Sequence, residues 1–98
     1  MNLVIIYGKI VSKIDFKFIY DRYDKENFEG IYKHTSIANC KIELLNGSII
    51  EVYGYDDIAD YMYRYLKEND YVLLEGKIDS NMKIFLYRLN YNTNIRKT

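Results

Sequence analysis

The sequence predicts an all-β domain carrying one helix, with the helix between the third and fourth of five strands. Three observations carry that expectation. Apolar and polar residues alternate with a period of two along most of the chain. The stretch 57–68 instead places apolar residues at helical spacing. Gly8, Gly54 and Gly76 all fall in the inward phase of their strands, where a small closed barrel needs its strands to bend and approach one another.

The first strand runs over 2–20, as one long strand or two collinear ones with a bend near Val11–Lys13. Val4, Ile6, Gly8 and Ile10 share one face, and Leu3, Ile5, Tyr7 and Lys9 the other. After the bend, Ile14, Phe16, Phe18 and Tyr20 lie opposite Asp15 and Lys17. Residues 21–35, "DRYDKENFEGIYKHT", are charged and aperiodic and read as a solvated loop, long for so small a domain. In the second strand, 36–44, Ala38, Cys40, Ile42 and Leu44 face in, while Asn39, Lys41 and Glu43 face out. In the third, 49–55, Ile50, Val52 and Gly54 oppose Glu51, Tyr53 and Tyr55.

The turn between these strands tests the register. A two-residue Asn46-Gly47 turn would pair Ile42 with Glu51 and bring a carboxylate into the core. A three-residue loop, 46–48, pairs Leu44 with Ile50 and Ile42 with Val52; that longer loop, or a bulge beside the turn, is expected instead. Asp56 or Asp57 then caps a helix over 57–68, with Ile58, Met62, Tyr65 and Leu66 on its apolar face and Asn69 in the left-handed conformation at its end. Val72, Leu74, Gly76 and Ile78 face inward from the fourth strand, 71–78. A turn at 79–81 leads to the fifth, 82–91, where Ile84 and Leu86 face in, followed by Leu89 and Tyr91 after a shift of phase.

The 98 residues suit one domain, 1–91, with 92–98, "NTNIRKT", as a mobile polar tail. At 49% hydrophobic and 29% charged, the chain can bury a core and stay folded in water. No apolar run is long enough to span a membrane. The opening "MNLVIIYGKIVSK" has neither a basic stretch ahead of its apolar run nor a small-residue cleavage site, so no signal peptide is expected. Cys40 is the sole cysteine, which excludes an intrachain disulfide and points to the cytoplasm. The formal net charge of zero argues against a protein that works by overall positive charge, but it leaves room for a local basic patch.

Strand, strand, strand, helix, strand, strand is the element order of the OB-fold, a five-stranded Greek-key barrel. At this point the sequence resembles the bacterial single-stranded-DNA-binding protein family, which includes primosomal replication protein N. "NLVIIYGKI" is similar to the family's asparagine-led first strand. "IANCKIEL" is similar to its second, with Cys40 where the family has an aromatic. "YDDIAD" resembles the end of the third strand, and "YLKENDYVLLEGKI" the helix end and fourth strand. The likeness runs from Asn2 to Tyr91. The family's long, tryptophan-bearing hairpin arms are replaced by "NGS" and "DSN", and its acidic tail by "NIRKT". The trimmed primosomal branch, or a version carried by a mobile element, is the nearer likeness.

The resemblance implies single-stranded DNA as partner, with RNA second, and a role in replication, repair or mobile-element maintenance. Replication proteins are then further partners, and the assembly is a homodimer or tetramer. It also implies that Tyr55, at the family's aromatic position ending strand three, contacts bases. The residues themselves supply more. Tyr53 and Tyr55 face outward beside Asn39 and Lys41, and Phe85 and Tyr87 face outward flanked by Lys83 and Arg88. Exposed rings beside cations suit base stacking with phosphate contacts. The same rings would equally cover a subunit contact or pack under the 21–35 loop, and Glu43, Glu51 and Glu75 on that side would repel phosphate. Leu3, Ile5 and Tyr7, apolar and outward, are expected in a dimer interface.

His34 is expected to be solvated, Cys40 to pack as a small apolar residue, and Asp56 and Asp57 to cap. No metal site, no cofactor and no catalytic constellation are expected, so an enzyme is not. The alternative function is an OB-fold protein-interaction module without nucleic-acid binding.

Overall fold

The computed structural model describes residues 3–19, 34–81 and 83–90, with backbone alone for 88–90. Tyr20 of the expected first strand, residues 21–33 of the long loop, Tyr91 and the tail 92–98 lie outside the described residues. The elements are β1 (Leu3–Ile10), β2 (Asp15–Phe18), β3 (Ser36–Leu44), β4 (Ile49–Tyr55), α1 (Asp57–Tyr65), β5 (Tyr71–Ile78) and β6 (Ile84–Asn90). The expected long first strand is the collinear pair β1 and β2, so the barrel counts six strands rather than five among the described residues. The break lies at the expected bend. There the Val11 N–H donates to the Lys41 carbonyl at 2.9 Å, and the Lys41 N–H donates to Ser12 Oγ at 2.9 Å.

The sheet order is β1-β5-β6-β4-β3-β2, and a further β1–β3 pairing closes it into a ring. All pairings are antiparallel except β4 with β6, which is parallel. This is the OB-fold, with the helix between the third and fourth barrel strands if β1 and β2 are counted as one. The alternation places the core as expected: Ile6, Ile10, Ala38, Cys40, Ile42, Val52, Val72, Leu74 and Leu86 are buried inside, joined by Ala59, Met62 and Leu66 from the helix segment. Each large aliphatic side chain so buried contributes roughly 1.5–3 kcal/mol.

Three local expectations are corrected. The β3–β4 loop has three residues, but they are Leu45, Asn46 and Gly47 rather than 46–48. The Gly47 N–H donates to the Leu44 carbonyl at 2.9 Å, and the Leu44 N–H to the Ser48 carbonyl at 2.8 Å. Gly47 takes a φ of 91°, a conformation that costs glycine little. Asn46 Oδ1 accepts the Ser48 N–H at 2.9 Å. Ile42 therefore pairs with Ile50 and Cys40 with Val52. That register differs by two residues from the expected one and keeps every side chain on its face.

The helix ends at Tyr65 rather than 68. Leu66 turns extended, at φ −98° and ψ 140°, and buries its own side chain, which leaves Tyr65 exposed. The chain then ties itself to the end of β1: the Asn69 N–H donates to the Ile10 carbonyl at 2.7 Å, and the Ile10 N–H to the Asp70 carbonyl at 2.8 Å. Asn69 is left-handed as expected, at φ 82°, but in this link rather than at the helix terminus.

The third correction is at Asp56. It precedes the helix at φ 54°, and its side chain makes no capping bond. Its carboxylate faces the start of β3 instead, accepting the Thr35 N–H at 2.7 Å and the Thr35 hydroxyl at 3.1 Å. Asp57 and Asp60 in the first turn and Arg64 in the last still suit the helix dipole.

Gly54 and Gly76 are inward for different reasons. A Cβ on Gly54 would stand 2.5 Å from Ile58 Cγ2 and 2.8 Å from Met62 Sδ, so this glycine lets α1 lie against β4. A Cβ on Gly76 would meet the Phe85 carbonyl oxygen at 2.7 Å, beside a bulge that pairs Gly76 with Leu86 but Glu75 with Arg88. That bulge is the expected shift of phase in the last strand. Ile58 Cγ2 branches from a helical Cβ that would itself lie 3.2 Å away, Met62 is fully buried, and the Phe85 carbonyl belongs to the backbone, so none of these neighbours can simply turn aside. Gly54→Ala and Gly76→Ala are each expected to cost about 1–3 kcal/mol in urea unfolding. A cost near zero at either position would show that its neighbours yield without strain.

Candidate nucleic-acid interface

Alternation along β4 and β6 puts Tyr53, Tyr55 and Phe85 on the outer face, and the parallel register sets Tyr53 directly beside Phe85. The rings form a continuous strip. The Tyr53 and Phe85 centroids lie 5.5 Å apart, and Tyr55 and Phe85 stack at 5.7 Å with planes 8° apart. Lys83 Nζ stands 5.6 Å from the Tyr53 centroid, within range of a cation–π contact. On β3, Asn39 is the register partner of Tyr53, and Lys41 that of Glu51. The structure thus brings Tyr53, Tyr55, Phe85, Asn39, Lys41 and Lys83 onto one surface, as the sequence predicted.

Tyr87 lies farther along β6, 41% exposed, with Lys77 Nζ 5.9 Å from its ring centroid. Arg88 falls beyond the bulge opposite Glu75, and its side chain lies outside the described residues. Leu3, Ile5 and Tyr7 are not part of this strip. They face outward on β1, with Leu3 49% and Ile5 67% exposed, and Tyr7 stacks on Tyr71 at 6.2 Å.

Glu51 sits at the border of the strip. It accepts the Asn39 amide at 2.6 Å, which engages one of the predicted contacts. Partial burial, then the Glu51 charge and its hydrogen bond, push the Tyr53 phenol above the usual tyrosine range.

Two contributors escaped sequence reasoning. Lys77 was legible in the alternation, because an inward Gly76 makes its neighbour outward. His34 carried no such signal, and it is not simply solvated. Its ring stacks on Tyr55 with centroids 4.0 Å and planes 12° apart, and Nδ1 lies 2.7 Å from Asp56 Oδ2.

A groove of about 390 Å³ lies away from the strip, between β2 and α1, lined by Phe16, Phe18, Asp60, Tyr63 and Arg64. Asp60 and Arg64 pair within it at 3.0 Å, so its charge is balanced. It gathers none of the predicted contacts. No cluster of three metal-ligating side chains occurs among the described residues, and no helix among them is long and apolar enough to cross a membrane.

Cys40 is buried behind the strip. Burial, then the Glu51 charge, push its thiol up to about 12. The thiolate is the reactive form. Cys40 should therefore resist a thiol reagent in the folded protein at pH 8 and react fully in denaturant. Rapid labelling without unfolding would show that the barrel opens at this seam.

With this geometry in view, the solved structures most informative for comparison are all OB-fold proteins. The single-stranded-DNA-binding domain of a Synechococcus protein is 20% identical, with a TM-score of 0.72 over 93% of this chain and 96% of that one. The single-stranded DNA binding protein of Thermus aquaticus is 17% identical, with a TM-score of 0.70 over 92% of this chain, which spans 39% of that protein. The small single-stranded DNA-binding protein of Streptomyces coelicolor is 10% identical, with a TM-score of 0.66 over 90% of this chain and 89% of that one. At these identities the likeness establishes the fold. No family model and no curated protein matches the sequence.

Proposed function

We propose that this chain binds single-stranded DNA across the outer face of β3, β4 and β6. The observation that carries the reading is the strip of Tyr53, Phe85 and Tyr55 with Lys83 over one end. Every base has a π-face, so stacked rings tolerate any sequence, and lysines meet the phosphates. The solved structures with this fold named above are single-stranded-DNA-binding proteins, which supports the same choice of ligand. Binding of this kind needs no catalytic group. The cellular role we attach to it, in replication, repair or maintenance of a mobile element, rests on the resemblance in sequence.

Fluorescence anisotropy with labelled oligo-dT tests this directly. Tyr55→Ala removes the middle ring between His34 and Phe85 and should weaken binding on the order of 5- to 100-fold, with the salt dependence unchanged. Lys83→Ala should lose less affinity but flatten the log–log salt slope by about 0.7. If the parent binds no oligonucleotide at low salt, the strip is instead a protein contact.

We also propose that two copies of the chain associate through the outer face of β1. Leu3 and Ile5 are exposed there, and β3 pairs with β1 only over Gly8–Ile10. Among the described residues this leaves the Leu3–Tyr7 edge available on that side, a template for another strand. Light scattering should report a dimer or tetramer for the parent and a monomer for Ile5→Lys. An unchanged mass for the variant would place the interface elsewhere.

A further inference from the structure

β2 ends the sheet order, pairing with β3 and with no other described strand. Two hydrogen bonds decide which of its backbone groups point away from β3. The Ile19 N–H donates to the Thr35 carbonyl at 2.8 Å, while the Ser36 carbonyl turns the other way and accepts the Asp56 N–H at 3.0 Å. Bonded pairs alternate along an antiparallel ladder. Asp15, Lys17 and Ile19 therefore direct their N–H and C=O groups at β3, and Phe16 and Phe18 turn theirs to the outer edge. Among the described residues, no backbone group pairs with that edge. The side chains of the same two residues line the groove of about 390 Å³ against α1, together with Asp60, Tyr63 and Arg64. Phe18 and Tyr63 are 62% and 61% exposed. Asp60 and Arg64 neutralise each other there, so the groove suits uncharged side chains.

An unpaired edge recognises an extended backbone, and pockets beside it select alternate side chains. Charge selects the residue between them. Lys17 is exposed on the opposite face of β2 and makes no ion pair among the described residues. A second copy of this chain is a poor occupant for that reason. The antiparallel register that engages all four edge groups sets Phe16 of one copy against Phe18 of the other. It also brings the two Lys17 side chains directly opposite each other, which is destabilising.

We propose that the β2 edge docks an extended segment of another protein, with an acidic residue opposite Lys17 and an apolar residue on either side of it. The segment adds to the sheet as an antiparallel strand. Its carboxylate meets Lys17 on the outer face, and its two apolar side chains, opposite Phe16 and Phe18, enter the groove. This surface does not depend on the single-strand-binding reading.

The test titrates a capped peptide, Thr-Thr-Val-Glu-Val-Thr-Thr, into the full chain and follows amide hydrogen exchange by NMR. Exchange at Phe16 and Phe18 should slow roughly tenfold or more at saturation, whereas Lys17, already bonded to β3, should barely change. Lys17→Glu should weaken binding about fivefold, and a peptide with lysine in place of glutamate should bind that variant better than it binds the parent. N-methylation of both valines removes the donors to β2 but keeps the side chains, and should abolish binding. Equal binding by the methylated peptide would overturn strand addition in favour of a contact with the groove alone. Unchanged exchange at Phe16 and Phe18 with peptide in the millimolar range would overturn the proposal outright. Protection of both amides before any peptide is added would also overturn it, since the edge would then be paired already.

Discussion

The outer surface of this barrel depends on how β1 closes the ring. Gly8 and Lys9 are paired on both sides at once, to Val72 and Tyr71 of β5 and to Leu44 and Glu43 of β3. Two neighbouring backbones converge on one strand there, and a Cβ on Gly8 would run into the Glu43 carbonyl and Ile42. Closure has two consequences on opposite sides of the molecule. It carries β3 away from the first half of β1, so Leu3, Ile5 and Tyr7 project from a segment supported by β5 alone among the described strands. It also curls the sheet until β4 and β6 meet in parallel, and that seam sets Tyr53 beside Phe85. The candidate interfaces for a second copy and for a nucleic acid are thus products of one closure.

Charge is distributed with comparable economy. Lysines and arginines number 14 and acids 14, yet several acids are occupied with the chain itself. Asp56 receives the start of β3, Asp70 accepts the Lys67 N–H at 3.1 Å, and Asp79 accepts the N–H groups of Asn81 and Lys83 at 2.8 and 2.9 Å. Asp60 is held by Arg64 and Glu51 by Asn39. Backbone N–H dipoles and paired cations offset much of these carboxylates' outward field. Lys41, Lys77 and Lys83 meanwhile stand exposed around the rings. A net charge of zero is therefore compatible with a locally basic rim. The cost falls on Glu51, whose carboxylate borders that rim.

How much of this was legible follows from what a period of two can encode. It identifies which residues face in, so the core, the outward strip and the bend at 11–13 could be read directly, and the phase shift in β6 could be seen as a break in the pattern. It cannot distinguish registers that differ by two residues, because both keep every side chain on its face. The β3–β4 turn was decided instead by where glycine takes a φ of 91°. Helix periodicity likewise could not reveal that residues 67–70 would be drawn to Ile10, and so misjudged the helix end and Tyr65. Asp56 looked like a cap because acids before helices usually are. Its actual partners, Thr35 and His34, lie more than twenty residues away, a distance over which local patterns carry no information. His34 was missed for the same reason.

The arrangement also decides which force would dominate binding. If Lys41, Lys77 and Lys83 each neutralise one phosphate of a single strand, the log–log salt slope is about 2, and a rise from 50 to 200 mM salt would lower affinity by roughly 16-fold. Each stacked base contributes roughly 1–3 kcal/mol that salt barely touches. Were two or more bases to stack on the face of β4 and β6, that contribution would exceed the electrostatic one at physiological ionic strength. With short β3–β4 and β5–β6 turns, such binding would depend on rings that the sheet already holds in place. Tyr53 is fixed by its register with Phe85, and Tyr55 by Phe85 on one side and His34 on the other. Rings held in this way would lose little freedom if a base arrived.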